Sequence, residues 1–187
     1  MPADNPQNLA ALHAAILSGL SAKLPQGICV QAYPDLRGRE ARVTLPAVLL
    51  ELSELEPGEE PGTGEVPLIG RFHAFAVIDP NLPDACMQVR ELAAKIAVAL
   101  HDENWGLPIT PARLVMAGED GFRPELDGYL SWMVEWTQEF HLGALEWPYP
   151  VSPREVFLGL YPETGTGNEA DYWPLGEAPP DDWGESA

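Results

Sequence analysis

The stretch Tyr129–Leu142 reads Tyr-Leu-Ser-Trp-Met-Val-Glu-Trp-Thr-Gln-Glu-Phe-His-Leu. Large apolar or aromatic side chains occupy most of its even-numbered positions, and polar side chains occupy most of its odd-numbered ones. This alternation predicts a β-strand with one buried face and one wetter face. Such a strand would span roughly 45 Å, whereas ordinary strands span about 17–20 Å. We therefore expect it to extend beyond its own core and to offer surface to a neighbour.

Four further segments upstream of this stretch have strand-like patterns. They are Ile28–Tyr33, Ala47–Leu55, Pro67–Asp79 and Ala112–Met116. Within the third segment, alternate positions place four apolar side chains on one face: Phe72, Ala74, Ala76 and Ile78. The periodicity of two therefore predicts a sheet whose strands bury one common face.

Two segments have helical periodicity. Asn5 as N-cap and Pro6 at the first helical position predict a helix with the apolar stripe Leu9, Leu12, Ile16 and Leu20. A second helix is predicted from Pro83 to His101, with the stripe Val89, Leu92, Ile96 and Leu100. Each helix has only one such stripe, so both are expected to cover a sheet.

The order of the predicted elements is helix, three strands, helix, two strands. It favours an α+β fold in which an antiparallel sheet of four to five strands carries two helices on one face. This domain is predicted to span residues 1–143. After Gly143 the alternation ends, and residues 144–187 contain seven prolines and many carboxylates, with Arg154 as the only basic residue. That composition predicts an extended acidic arm rather than a second domain.

The net charge is −19, from 29 acidic and 10 basic residues. This balance argues against binding nucleic acid through its phosphates and against docking on anionic lipid. No run of 18 apolar residues and no signal-like N-terminal segment is present, so we expect no membrane span and a cytoplasmic site of synthesis. Cys29 and Cys86 are expected to be free thiols in a reducing compartment.

The residue types used in catalysis and metal binding do not form a motif. None of the four histidines has a second histidine or a cysteine at metal-ligand spacing. His73 and His141 would approach each other only if their strands pair, and ordinary surface histidines are the favoured interpretation. Carboxylates cluster in loops rich in glycine and proline, where solvation would keep them from acting as general acids. The sequence therefore predicts no catalytic residue, no metal site and no cofactor.

Two segments are instead candidates for interaction. The end of the second strand and the turn-rich segment after it carry acidic side chains that we expect at or near a hairpin tip: Glu54, Glu56, Glu59, Glu60 and Glu65. The arm carries apolar and aromatic side chains that are costly to leave in water: Trp147, Val156, Phe157, Leu158, Leu160, Tyr161, Trp173 and Trp183. These anchors have three open interpretations: packing on their own domain, docking on a neighbouring subunit or another protein, or disorder of the arm.

Four segments and the order of elements together resemble the tail terminator and tail completion proteins of long-tailed bacteriophages. The segments are Val48-Leu-Leu-Glu-Leu, Arg71-Phe-His-Ala-Phe-Ala-Val, the helix Val89–Leu100 and Trp132-Met-Val-Glu-Trp-Thr-Gln-Glu-Phe. The resemblance covers roughly residues 5–143. It implies a subunit of a homohexameric ring that caps the tail tube, ends tube polymerisation and forms the attachment surface for the head–tail connector.

The resemblance also implies partners and a location. They are further copies of the chain, the tail tube protein and the connector protein, in the virion tail after assembly in the host cytoplasm. The acidic loop would line the lumen, where like charge lets DNA pass without specific binding. The alternatives are a head–tail joining or minor tail protein, a soluble acidic adaptor or inhibitor, and an enzyme that uses loop carboxylates.

Overall fold

A computed structural model describes residues 8–33, 43–119, 123, 126–144, 157–159, 164–168 and 172–175. Within these residues it contains two helices and a five-stranded sheet, and a separate two-stranded ladder. The elements are α1 (Leu9–Lys23), β1 (Cys29–Ala32), β2 (Ala47–Pro57), β3 (Val66–Ile78), α2 (Ala85–Leu100), β4 (Arg113–Glu119), β5 (Leu130–Leu142), β6 (Phe157–Leu158) and β7 (Trp173–Pro174). The predicted α+β class is confirmed, and neither helix is long and apolar enough to cross a membrane.

The five strands are ordered β1-β2-β3-β5-β4. β3 and β5 form an unbroken antiparallel ladder from the pair Val66–Leu142 to the pair Ile78–Leu130. β2 and β4 also pair antiparallel, with β3 and β5 respectively, but β1 runs parallel to β2. The expectation of an all-antiparallel sheet is therefore wrong at this edge. The connection over residues 33–46 is long enough for a parallel crossover, which needs about a dozen residues.

Both helices cover the same face of the sheet. Leu9 of the predicted α1 stripe is only partly buried. The other stripe residues are buried: Leu12, Ile16 and Leu20 from α1 and Val89, Leu92, Ile96 and Leu100 from α2. They meet a sheet face made by alternate residues of three strands: Val48, Leu50, Phe72, Ala74, Ala76, Ile78, Val134, Trp136 and Phe140. Phe72 and Trp136 lie opposite each other in the ladder and stack with ring centroids 5.4 Å apart. The core is thus formed as the alternation predicts.

The first helix begins later than the sequence pattern indicates. Asn8 is its N-cap, and the Asn8 side chain accepts a hydrogen bond from the Ala11 amide at 2.9 Å. The prediction that Asn5 caps this helix is wrong, because the helix starts at Leu9; Asn5 itself lies outside the described residues. Two asparagines precede the apolar stripe, and only the one next to it can reach a first-turn amide.

The second face of the sheet is not the wet surface that the alternation indicates. Ala47, Leu49, Phe75 and Val77 are fully buried there, in a smaller cluster with Leu126. Partly buried side chains from the flanking segments complete this cluster: Cys29, Tyr33, Val43, Leu45, Tyr129 and Met133. A strand pattern shows which positions alternate, but it does not show which loops fold over the second face.

Gln138 is a polar residue within the helix-facing side of β5, and it is 1% exposed. Its Oε1 accepts hydrogen bonds from the indole nitrogens of Trp105 at 2.9 Å and Trp136 at 3.3 Å. Its Nε2 donates to the carbonyl oxygens of Glu103 and Thr110, each at 2.9 Å. One buried amide therefore ties the segment after α2 to the central strand, with both of its groups hydrogen-bonded.

Trp105 also determines how the segment after α2 packs against α1. A Cβ atom built on Gly19 would lie 2.9 Å from Trp105 Cζ3, and it would lie even closer to Cε3, the adjacent atom of the indole ring. Real Cβ atoms do not approach so closely, so only glycine lets the indole lie against α1 here. Glycine within a helix usually weakens it, and this contact explains why one is present.

The chain divides into two compact units, Met1–Trp147 and Pro148–Ala187. In the second unit, β6 and β7 pair antiparallel, with Phe157 opposite Pro174 and Leu158 opposite Trp173. The Gly165 amide donates a hydrogen bond to the Tyr172 hydroxyl at 2.8 Å. Part of the segment predicted as an extended arm thus has local strand pairing of its own.

Replacing Gln138 with leucine is expected to lower the free energy of unfolding by about 2–4 kcal/mol. The leucine would leave two indole N–H groups and two buried carbonyl oxygens without their partner. Chemical denaturation measures the change. Gln88→Leu is the matched control, because Gln88 is exposed and its side chain makes a single hydrogen bond, to Pro83. Equal stability of the two variants would contradict the role assigned to Gln138.

Candidate functional site

A row of three titratable side chains crosses the centre of the sheet on the face opposite the helices. The strand register places Glu51 of β2 opposite His73 of β3, and His73 opposite Glu135 of β5. His73 Nδ1 lies 3.8 Å from a Glu51 oxygen, and His73 Nε2 lies 3.8 Å from a Glu135 oxygen. We call these three residues the charge row. They come together because equivalent positions of neighbouring strands share one face.

Each carboxylate of the charge row is neutralised by an arginine. Arg123 donates to Glu51 at 2.6 Å, and its guanidinium lies over the rings of Phe75 and Tyr33. Arg71 donates to Glu135 and also to Glu56 at 2.9 Å. Both carboxylates already accept a hydrogen bond from a charged guanidinium, so neither is placed as an unpaired carboxyl that could donate its proton to a substrate.

His73 is the least satisfied member of the charge row. Its Nε2 lies 3.4 Å from Ser53 Oγ, whereas its buried Nδ1 has no hydrogen-bond partner among the described residues. Burial lowers the pKa of His73, since it removes water from the charged imidazolium; Glu135 and Glu51 oppose this shift, and Arg123 and Arg71 reinforce it. The neutral form is therefore the one that the fold accommodates at neutral pH.

Among the described residues, the charge row belongs neither to a cluster of metal-ligating side chains nor to a pair of histidines. No group of three potential metal-ligating side chains occurs in the part of the chain that the structure describes. His141 pairs with Pro67, near the far end of the β3–β5 ladder from His73. The idea that the two histidines meet when these strands pair is wrong, because the register separates them by six residue pairs, or about 20 Å.

The edge strand β4 presents the most apolar exposed surface of the sheet. It pairs with β5 on one side only and ends the sheet on the other. Leu114, Val115 and Met116 are 52%, 50% and 46% exposed, so both faces of the strand carry exposed apolar side chains. The register shifts between Leu114 and Met116, which leaves Val115 at a bulge. The sequence pattern predicts a strand here, but it does not predict that the side chains of this strand are exposed.

The acidic hairpin residues have three different environments. Glu54 and Glu56 belong to β2 and pair with Arg71, at 3.3 Å and 2.9 Å. Glu59 and Glu60 are exposed in the loop between β2 and β3. Glu65 is 6% exposed and accepts a hydrogen bond from the Thr63 hydroxyl, which corrects the expectation that every carboxylate here is solvated.

The predicted arm anchors are only partly described. Phe157 and Leu158 form β6 and are 49% and 40% exposed, and Trp173 is buried in β7. The remaining predicted anchors lie outside the described residues: Trp147, Val156, Leu160, Tyr161 and Trp183. Their role as docking residues stays a prediction.

Lowering the pH is expected to destabilise the protein through His73. The folded-state pKa of His73 is below the ordinary value of 6.5, so the unfolded chain binds a proton there first. The stability linked to neutral His73 is complete above that ordinary pKa and is lost as the pH falls through the folded-state pKa. Denaturation midpoints measured between about pH 7.5 and pH 5 should fall less in His73→Gln than in the wild type.

His101→Gln is the control for this measurement, since the His101 side chain is 82% exposed. It should follow the wild-type pH dependence. A His73→Gln profile that runs parallel to the wild type over the whole range would show that His73 does not carry the effect.

No protein-family model matches the sequence, and no curated protein matches it. Among solved structures, the chain is similar to the sheath/tube terminator of an extracellular contractile injection system called PVC, determined by cryo-electron microscopy in the extended state. The TM-score is 0.42 and the sequence identity is 17%. The match covers 84% of this chain and 66% of that chain.

Proposed function

We propose that this protein is a structural subunit of a phage-type tail, which assembles as a ring on the end of the tail tube. In this role it ends tube polymerisation and forms the surface to which the head–tail connector attaches. Its partners are further copies of itself, six in a closed ring, together with tube protein and connector. It acts in the host cytoplasm during assembly and in the virion tail afterwards, without catalysis or a cofactor.

The uncovered edge of β4 is the observation that carries the proposal. An edge strand exposes backbone N–H and C=O groups that can pair with another chain, and proteins that stay monomeric protect such edges with charge, proline, a bulge or a covering loop. β4 has a bulge at Val115, but its three consecutive apolar side chains remain about half exposed. Pairing or packing of this edge against a neighbouring subunit would bury them, and a closed ring would leave no edge free.

The distribution of charge supports the same role. Glu51 and Glu135 are neutralised within the sheet by Arg123 and Arg71, but Glu59 and Glu60 at the hairpin tip have no ion pair with a described residue. Exposed carboxylates at a hairpin tip would repel DNA phosphates over about one Debye length, which is about 8 Å at physiological salt. A lumen lined by such tips would let DNA pass without binding it.

Assembly should depend on the β4 edge. The wild-type chain is expected to form a species whose mass is a multiple of 20.4 kDa, six-fold for a hexamer, alone or on tube protein. Val115→Lys places a charge on the edge and should shift the protein to the monomer, as light scattering coupled to gel filtration would show. Leu82→Lys is the control, since Leu82 is 42% exposed but lies between β3 and α2, away from the edge. A wild-type chain that stays monomeric even with tube protein would overturn the proposal.

Charge reversal at the hairpin tip should create affinity for DNA. Replacing Glu59 and Glu60 together with lysine changes the formal charge of each tip by four units, and a ring repeats that change in every subunit. We expect assembled protein with these substitutions to retain duplex DNA in a filter assay at low salt and to release it at high salt. The wild type should retain none. The same two reversals placed at Asp84 and Asp102, which flank α2 and do not line the loop between β2 and β3, are the control. Equal retention by both variants would contradict a lumenal hairpin.

A further inference from the structure

The helical side of the first unit carries a groove that the proposed ring edge does not use. It lies between the end of α1 and the second half of α2 and has a volume of about 630 Å³. Its lining residues are Lys23, Pro25, Glu91, Ala94, Lys95, Val98 and Ala99. We call it the lysine groove, because Lys23 and Lys95 are the only two lysines in the chain. Sites that bind compact ligands or anchor side chains commonly have volumes of this size.

The centre of the lysine groove is apolar and uncovered. Val98 is 76% exposed, more than any other large apolar side chain in the described part of the chain. Ala94 and Val98 are four residues apart, so they lie on one face of α2, with Pro25 across the groove. A valine left this open on an otherwise amphipathic helix gains stability if an apolar side chain covers it.

The rim of the lysine groove carries one lysine, Lys95, that no described carboxylate pairs with. Lys23 is already engaged, since it pairs with Glu103 and donates to the Ala99 carbonyl at 3.2 Å. Lys95 is exposed and has no ion pair with a described residue. Glu91 lies one turn before Lys95 and is the only carboxylate among the described residues that line the groove. An acidic ligand would therefore gain from Lys95 and lose from Glu91.

The chain itself contains a segment with the complementary chemistry. Residues 176–187 read Gly-Glu-Ala-Pro-Pro-Asp-Asp-Trp-Gly-Glu-Ser-Ala. The segment has four carboxylates and no basic residue, and Trp183 is its only large apolar side chain. An indole flanked by Asp182 and Glu185 matches an apolar groove with lysine on its rim. The two prolines restrict the free segment, which lowers the entropy that it would lose on binding.

We infer that the lysine groove binds the C-terminal segment, residues 176–187, of a second copy of the chain. Trp183 covers Val98, and the flanking carboxylates lie near Lys95. This inference rests on the proposed assembly of copies, and it gives the acidic arm a specific receptor on the neighbouring subunit. It also places the arm contact on the helical side of the domain, separate from the β4 edge.

A labelled peptide of residues 176–187 tests the contact directly. The receptor is the full-length chain carrying Trp183→Ala, so that its own C-terminal segment competes poorly. Fluorescence anisotropy should show saturable binding that weakens as salt is raised. Val98→Asp and Lys95→Glu in the receptor should each weaken binding at least about tenfold, and Glu91→Gln should strengthen it.

Met87→Asp in the receptor is the matched control. Met87 is 58% exposed on the same helix but does not line the groove. Both it and Val98 are exposed, so neither substitution disturbs the core, and thermal melting of each receptor would confirm its folding. No saturable binding, or equal loss of binding in Val98→Asp and Met87→Asp, would overturn the inference.

A charge exchange in the full-length chain tests whether the segment comes from a second copy. Lys95→Glu alone should weaken self-association measured by sedimentation equilibrium, and adding Asp182→Lys should restore most of it. Peptide binding together with a wild-type chain that remains monomeric at every concentration would overturn docking between copies. Val115→Lys separates this contact from the proposed ring edge, because it should leave peptide binding unchanged even where it abolishes the ring.

Discussion

The antiparallel register between β3 and β5 is the constraint on which the rest of the structure depends. It pairs Phe72 with Trp136 on one face and His73 with Glu135 on the other. A slip of one residue would exchange the two faces, placing charged side chains under the helices and the aromatic stack outside. The helices can cover the sheet only in the observed register, and the charge row exists only because of it.

The same register decides which surfaces are left for partners. The helical face is closed by α1 and α2, and part of the other face is closed by the cluster around Phe75. The two glutamates of the charge row are neutralised by arginines within the sheet. Among the described residues, the exposed features include an apolar edge on β4, an acidic hairpin tip and the groove around Val98. Our proposals of assembly and partner binding rest on these three surfaces.

Much of this fold could be predicted from local patterning. The alternation in β3 and β5 and the stripe in α2 identified most of the residues that these three elements bury between the helices and the sheet, because burial selects side chains at fixed periods. The parallel pairing of β1 could not be predicted, since it depends on a long crossover rather than on the strand's own residues.

Gln138 occupies an apolar position in the pattern, and only the approach of Trp105 and the Glu103 and Thr110 carbonyls explains why an amide belongs there. The charge row was missed because three strands must be in register before its members meet. The exposure of β4 was missed because no strand pattern says what lies beside it.

Amide hydrogen exchange on β4 tests the central claim most directly, because exchange reports whether each backbone N–H is hydrogen-bonded or covered. In dilute, monomeric protein the outward-facing amides of Arg113–Glu119 should exchange quickly, while those of β3 and β5 exchange slowly. On assembly, alone or on tube protein, the β4 amides should become protected and those of the central ladder should change little. Assembly that leaves β4 unprotected, or full protection of β4 already in the monomer, would contradict the account.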